Sequence, residues 1–264
     1  MKKLVSLSLA GALCLTLAAC GVSPSPAASE SGGEPVELHV YAAASLKETM
    51  TQIAENYKDA APNVTITCTF DSSGTLQDQI EAGGECDLFL SAAQKQMNAL
   101  SDEGYIDEDT RVDLLENKVA LAVPEGNPAG VTSFDDVATD KVSLIALGNS
   151  DVPVGQYSEE LFTAMGVWDD IQGKITFGSN VKEVTTWVSE NTVDCGVIYS
   201  TDAYSAGLEV AALADPALLT NQVIYPAAVL KESAHADEAK AFLEYLKSDE
   251  SKEVFQSVGF AIPE

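Results

Sequence analysis

The sequence predicts an α/β protein of two lobes, each a mainly parallel sheet covered by helices, joined by two crossing segments. Three observations carry this. Strand-like runs alternate with helically spaced apolar residues, the alternation occurs twice, and prolines interrupt strand-like runs where the rhythm breaks.

The chain opens on Lys2 and Lys3, continues through an apolar stretch from Leu4 to Ala19 and closes it with Leu17-Ala18-Ala19-Cys20. The stretch is shorter than the roughly 20 apolar residues of a spanning helix. The pattern predicts a lipoprotein signal peptide over 1–19, with Cys20 as the lipidated first mature residue. Residues 20–35 then read as a tether, because "GVSPSPAASESGGEP" has nothing to bury. Fully extended, such a segment reaches about 50 Å. The protein is expected on the extracytoplasmic face of the cell membrane, held by lipid on Cys20.

Charge excludes whole classes of ligand. The 264 residues hold 14 basic and 41 acidic side chains, a formal charge of −27, and removal of the two leader lysines leaves 12 basic residues and a charge of −29. A field of that sign repels nucleic acid and anionic lipid headgroups. With His39 and His235 as the only imidazoles, a histidine-based metal site or catalytic triad is disfavoured. Cys68, Cys86 and Cys195 lack metal-ligand spacing; one disulfide is arithmetically open, and three buried thiols is the favoured reading.

In chain order, "VELHVYAAA" is a strand, and Leu46, Met50, Ile53 and Tyr57 recur at helical spacing after it. "NVTITCTF" is a second strand by its β-branched alternation, and "DSSGTLQDQIEAGG" follows as a short helix stopped by Gly83-Gly84. "CDLFLSA" is a third strand, leading to a helix bearing Met97 and Leu100. "KVALAVPEGNP" breaks the rhythm at its prolines and is read as the first crossing.

The second lobe repeats the pattern through "KVSLIALGN", a helix with Tyr157, Leu161 and Met165, then "KITFG", a helix with Val184, Trp187 and Val188, and "CGVIY". "NQVIYPAAVLKES", interrupted by Pro226, is the second crossing, and Ala236 to Phe260 is helical with Ala239, Phe242, Leu243 and Leu246 on one face. The expected boundaries are 36–121 with 226–264 for lobe 1, and 122–225 for lobe 2.

Ligands of open parallel sheets bind at the carboxyl ends of strands, where helices begin. Four such junctions stand out here: "AAASLK" with Ser45, "DSSGTLQ" with Ser72 and Ser73, "DVPVGQY", and "GSNVKEV", where Ser179 or Asn180 caps the helix. Each alone is an ordinary helix cap. Together, two per lobe, they present N–H and O–H donors and helix N-termini suited to a small dianion. Tyr199 adds a phenol at the end of "CGVIY".

Through "YAAASL", "DSSGTLQDQIEAGGECDLFLSA", "VPVGQY", "NVKEV", "GVIYSTDA" and the final "VGF", the chain from Val36 to Pro263 resembles the molybdate-binding proteins of bacterial ABC importers, a family of class II periplasmic binding proteins. The resemblance implies that molybdate, and tungstate with it, is bound through hydrogen bonds alone, with no protein ligand on the metal. Ser45 and Ser73 would supply hydroxyl and backbone donors, Val154 and Val181 backbone N–H groups, and Tyr199 its hydroxyl. It implies no cofactor, a monomer, and delivery to a membrane permease served by a cytoplasmic ATPase. Two departures stand out: Val154 replaces a frequent alanine, and Lys182 a frequent arginine.

Two other readings compete. A secreted serine hydrolase would use Ser45 or Ser73, but neither lies in a G-x-S-x-G elbow. A binding protein of the same fold could take another oxyanion such as sulfate.

Overall fold

The computed structural model of the protein describes residues 34–263. The expected signal peptide, Cys20 and the tether up to residue 33 lie outside the described residues. The described residues belong to one compact unit.

Strand β1 (Val36–Ala43) enters a 3-10 turn over Ala44–Leu46 and then α1 (Lys47–Ala60). The first half continues through β2 (Val64–Asp71), α2 (Ser73–Glu81), β3 (Leu88–Leu90), α3 (Gln94–Asp102) and β4 (Val112–Glu116). Next come β5 (Val119–Val123), β6 (Ile145–Gly148), α4 (Pro153–Ala164), α5 (Trp168–Ile171) and β7 (Ile175–Gly178). They are followed by α6 (Val181–Ser189), β8 (Cys195–Tyr199), α7 (Ser200–Ala206) and β9 (Glu209–Leu213). The chain returns through β10 (Ile224–Val229), α8 (Ala236–Leu246) and α9 (Asp249–Ser257).

Two five-stranded sheets result, ordered β2-β1-β3-β10-β4 and β7-β6-β8-β5-β9. β1 is parallel to β2 and β3, and β6 is parallel to β7 and β8. One strand in each sheet opposes its neighbours: β10 in the first and β5 in the second. These are the two strands by which the chain enters each sheet from the other. The expected mainly parallel, two-lobed α/β fold with two crossings is therefore the observed one.

The crossings sit elsewhere than the prolines suggested. All of β5 belongs to the second sheet, so the chain passes between sheets at Asn117 and Lys118 rather than beyond Leu121. Pro124 merely ends β5, since it has no N–H for the ladder. The return passage precedes Ile224, and Pro226 lies inside β10, where the pairing with β4 shifts register between Tyr225 and Pro226. A bulge of this kind accommodates the missing donor. The two passages lie side by side, for Asn117 N–H donates to the Val223 carbonyl at 2.9 Å.

Burial follows the predicted faces. Met50, Ile53 and Tyr57 of α1 are buried, as are Ala239, Phe242, Leu243 and Leu246 of α8, and the rings of Tyr57 and Phe242 lie 4.8 Å apart. The helical tail is two helices rather than one, because Ser248 accepts from Ser251 N–H and starts α9 afresh. Its end returns to the crossing: Ala261 and Glu116 exchange backbone hydrogen bonds of 3.0 and 2.8 Å, and Phe260 packs edge-on against Tyr225 at 5.2 Å. All three described cysteines are free; Cys195 is buried, whereas Cys68 and Cys86 are only partly so. No helix of the described residues is long and apolar enough to cross a membrane.

Candidate functional site

The carboxyl ends of β1, β2 and β8 and the starts of α2, α4 and α6 meet at one small cleft of about 10 Å³. Ser45, Ser73, Val181 and Tyr199 line it, with Val152 and Pro153 at the head of α4. Val154 is fully buried one residue deeper in α4 and does not form part of the wall. Ala43, Ala44 and Ala92 also line it, with side chains small enough to bring backbone close to a ligand.

Neither central serine caps its helix. Ser45 lies within the 3-10 turn, and α1 has no side-chain cap; the Ser45 Oγ lies 3.0 Å from the Tyr225 hydroxyl. Ser72 is the cap of α2, accepting from Thr75 N–H at 3.1 Å, which leaves Ser73 as the first helical residue. Ser73 Oγ accepts from Ala92 N–H at 2.9 Å, so its own proton remains free to donate. On the second lobe Asn180, not Ser179, caps α6 by accepting from Glu183 N–H at 3.1 Å.

Among the described residues, the backbone N–H groups of Ser45, Ser73, Val154 and Val181 have no hydrogen-bond partner. This is the ordinary state of a helix start, but here three of these residues, Ser45, Ser73 and Val181, line one cleft, and Val154 follows Pro153 of its wall. Tyr199 donates to the Ala92 carbonyl at 3.3 Å, long for an O–H···O bond and readily exchanged for a better acceptor. Burial, with Tyr225, Tyr157 and Asp202 nearby, holds the Tyr199 phenol well above its usual range, so it stays a donor.

Several contacts join the lobes around the cleft. Gly74 N–H donates to the Asp151 carbonyl at 2.9 Å, and Asn180 Nδ2 reaches Asp71 Oδ1 at 3.3 Å. Lys182 Nζ lies 2.8 Å from Glu48 Oε2 on α1 and 3.0 Å from Asp202 Oδ1 on α7. Burial opposes the lysine charge, but Asp202 and Glu48 outweigh it and raise its pKa. Asp202 is also raised, because complete burial outweighs the pull of Lys182, and neither of its oxygens has an aligned hydrogen bond. Lys182 is thus paired with two carboxylates and offers an anion no free charge.

Asp71 was not anticipated. Asp71 belongs to the cleft lining, and its Oδ1 accepts from Ser72 N–H at 2.8 Å as well as from Asn180. The lining is therefore rich in donors but includes one acceptor. Asn117, Tyr225 and Glu48 were likewise missed, as was Asp202 within "GVIYSTDA", because no local spacing marks their partners. Among the described residues, no group of three or more His, Cys, Asp or Glu is placed to hold a metal ion.

Residues 38–261 match the family described as bacterial extracellular solute-binding protein. The chain belongs to that family. As a solute-binding protein it is not an enzyme, and the hydrolase reading falls away. A Bacillus subtilis (strain 168) protein described as "Putative ABC transporter substrate-binding lipoprotein YvgL" is 37% identical over 250 residues, 93% of each chain. The molybdate-binding protein ModA of Escherichia coli (strain K12) is 35% identical over 233 residues, 86% of this chain and 89% of that one. The periplasmic molybdate-binding protein of Azotobacter vinelandii superposes with a TM-score of 0.77 at 19% identity, covering 86% of this solute-binding protein and all of that chain, which is a likeness of fold.

Proposed function

We propose that this solute-binding protein captures molybdate between its two lobes and delivers it to an ABC permease driven by a cytoplasmic ATPase. The observation that carries the reading is the convergence at one small cleft of two serine hydroxyls and the unpartnered N–H groups of Ser45, Ser73 and Val181, with that of Val154 next in the chain after Pro153 of the wall. Ser45 and Ser73 donate from the first lobe; Val154 and Val181 give backbone N–H groups and Tyr199 its hydroxyl from the second. The cleft is far smaller than the roughly 300 Å³ or more of pockets for drug-sized ligands.

Fixed donors can replace the hydration of a dianion without a counter-charge, and their local dipoles outweigh a distant, salt-screened surface field. Tungstate has the same shape and charge and binds in the same way. Sulfate is smaller and makes poorer contact with a rigid cage. The protein acts as a monomer tethered by lipid on Cys20; one relative's name, a lipoprotein, supports the tether, and the other's, a molybdate-binding protein, supports the ligand.

Asp71 favours a second reading. An acceptor in the lining suits an oxyanion that retains a proton, such as hydrogen phosphate. Thermal melts of the body from Gly33 with molybdate, tungstate, sulfate and phosphate separate the two. A ligand at 1,000 times its Kd stabilises by about 4 kcal/mol. Large shifts with molybdate and tungstate and little with the others support the first reading; a shift with phosphate that Asp71→Asn removes supports the second.

A further inference from the structure

We infer that Asn117 and Tyr225, which lie outside the cleft, fix the Ser45 hydroxyl as a donor to the bound anion. The inference rests on the reading of Ser45 as an anion ligand. It follows from counting protons along one buried chain of side chains.

Asn117 sits on the first crossing. Its Oδ1 accepts from Lys118 N–H at 2.8 Å and from the Ser200 hydroxyl at 3.2 Å, which settles which end of the amide is oxygen. Its Nδ2 can then only donate, to Thr201 Oγ1 at 2.8 Å and to the Tyr225 hydroxyl oxygen at 3.1 Å. Tyr225 is 1% exposed, so its single proton needs a protein acceptor. The Tyr199 hydroxyl is also nearby but makes no aligned hydrogen bond with Tyr225 and gives its own proton to the Ala92 carbonyl, so the Ser45 Oγ, 3.0 Å away, is the aligned acceptor that remains. Tyr225 therefore donates to Ser45, and the serine proton is directed away from Tyr225, toward the cleft that Ser45 lines.

Two consequences follow for binding. A hydroxyl that already accepts a hydrogen bond is a stronger donor. It also turns its proton, rather than a lone pair, toward the anion. The ring of Tyr225 is held for this role between Tyr199 at 5.6 Å and Phe260 at 5.2 Å, both edge-on. Asn117 and Tyr225 are thus positioning residues that act through Ser45.

The test is a double-mutant cycle on the body from Gly33, with molybdate affinity measured by titration calorimetry for wild type, Ser45→Ala, Tyr225→Phe and the double variant. Tyr225→Phe is expected to weaken binding about tenfold, the worth of one charge-assisted hydrogen bond. In the Ser45→Ala background the same change should have less than about a twofold effect, because its route to the anion is gone. A full tenfold effect in that background, or none in the wild type, overturns the inference. Should Tyr225→Phe fail to fold, Asn117→Ala replaces it in the cycle with the same expectation. If wild type binds tungstate, sulfate or phosphate but not molybdate, the ligand reading fails alone and the cycle is run with that anion. If none of the four binds, both fall.

Discussion

Gly74 N–H and the Asp151 carbonyl meet at 2.9 Å across the two lobes, and a Cβ on Gly74 would stand 2.5 Å from that same oxygen. The lobes touch backbone to backbone beside the cleft because residue 74 has no side chain. A side chain at residue 74 would hold the two lobes apart at this point.

Gly74→Ala should separate closure from folding. Within a helix, alanine is favoured over glycine by roughly 1 kcal/mol, so the unliganded melting midpoint should hold or rise. Anion affinity should fall at least tenfold, and small-angle scattering should show no compaction on adding ligand. Unchanged affinity would mean that Asp151 yields and that this contact sets nothing.

Lys182 joins two partners of unequal weight. Glu48 is half exposed, so Glu48→Gln should weaken anion binding only about twofold to fivefold, and less in high salt. Lys182→Met leaves Asp202 buried without its partner and should destabilise the fold by about 3 kcal/mol. Because the Lys182 pKa is raised in the fold, its contribution is whole below the unfolded lysine value of about 10.4 and is lost as pH climbs through the folded value. The stability gap between wild type and Lys182→Met should be flat from about pH 6 to 9 and narrow above about pH 10.5.

Val181 is proposed to act through its N–H alone, which proline lacks. Proline is well tolerated as the first helical residue, and Asn180 before it already has the extended backbone that proline requires. Compared with Val181→Ala, Val181→Pro should melt similarly yet bind the anion at least tenfold more weakly. Equal affinities would remove this N–H from the cage.

Burial pushes the Cys68 and Cys195 thiols up to about 12, and raises Cys86 as well. At pH 8 about one in ten thousand of the first two is thiolate. Thiol-disulfide reagents should label the native body slowly and the guanidinium-unfolded body at once. Rapid native labelling would contradict that burial.

What the sequence discloses here is periodic or chemically marked. The core strands and the faces of α1 and α8 repeat their apolar residues at fixed spacing, and the helix starts carry hydroxyls, prolines and glycines. β4 and β9 are edge strands with weak apolar alternation, and nothing local marks them. The crossings were sought at Pro124 and Pro226, yet a proline reports a missing N–H, not a change of sheet. Asn117 and Tyr225 were illegible for a different reason. Their partners, Thr201 and Ser45, lie 84 and 180 residues away, and only the fold brings them together.

The central claim is that neutral donors on these helix starts hold the anion. Its most direct test is calorimetric titration of molybdate into the body from Gly33 and into its Ser45→Ala/Ser73→Ala variant. The account predicts one tight site in the wild type and a loss of about a hundredfold or more in the variant, two charge-assisted hydrogen bonds being removed. A variant that folds and binds as tightly as wild type would contradict it.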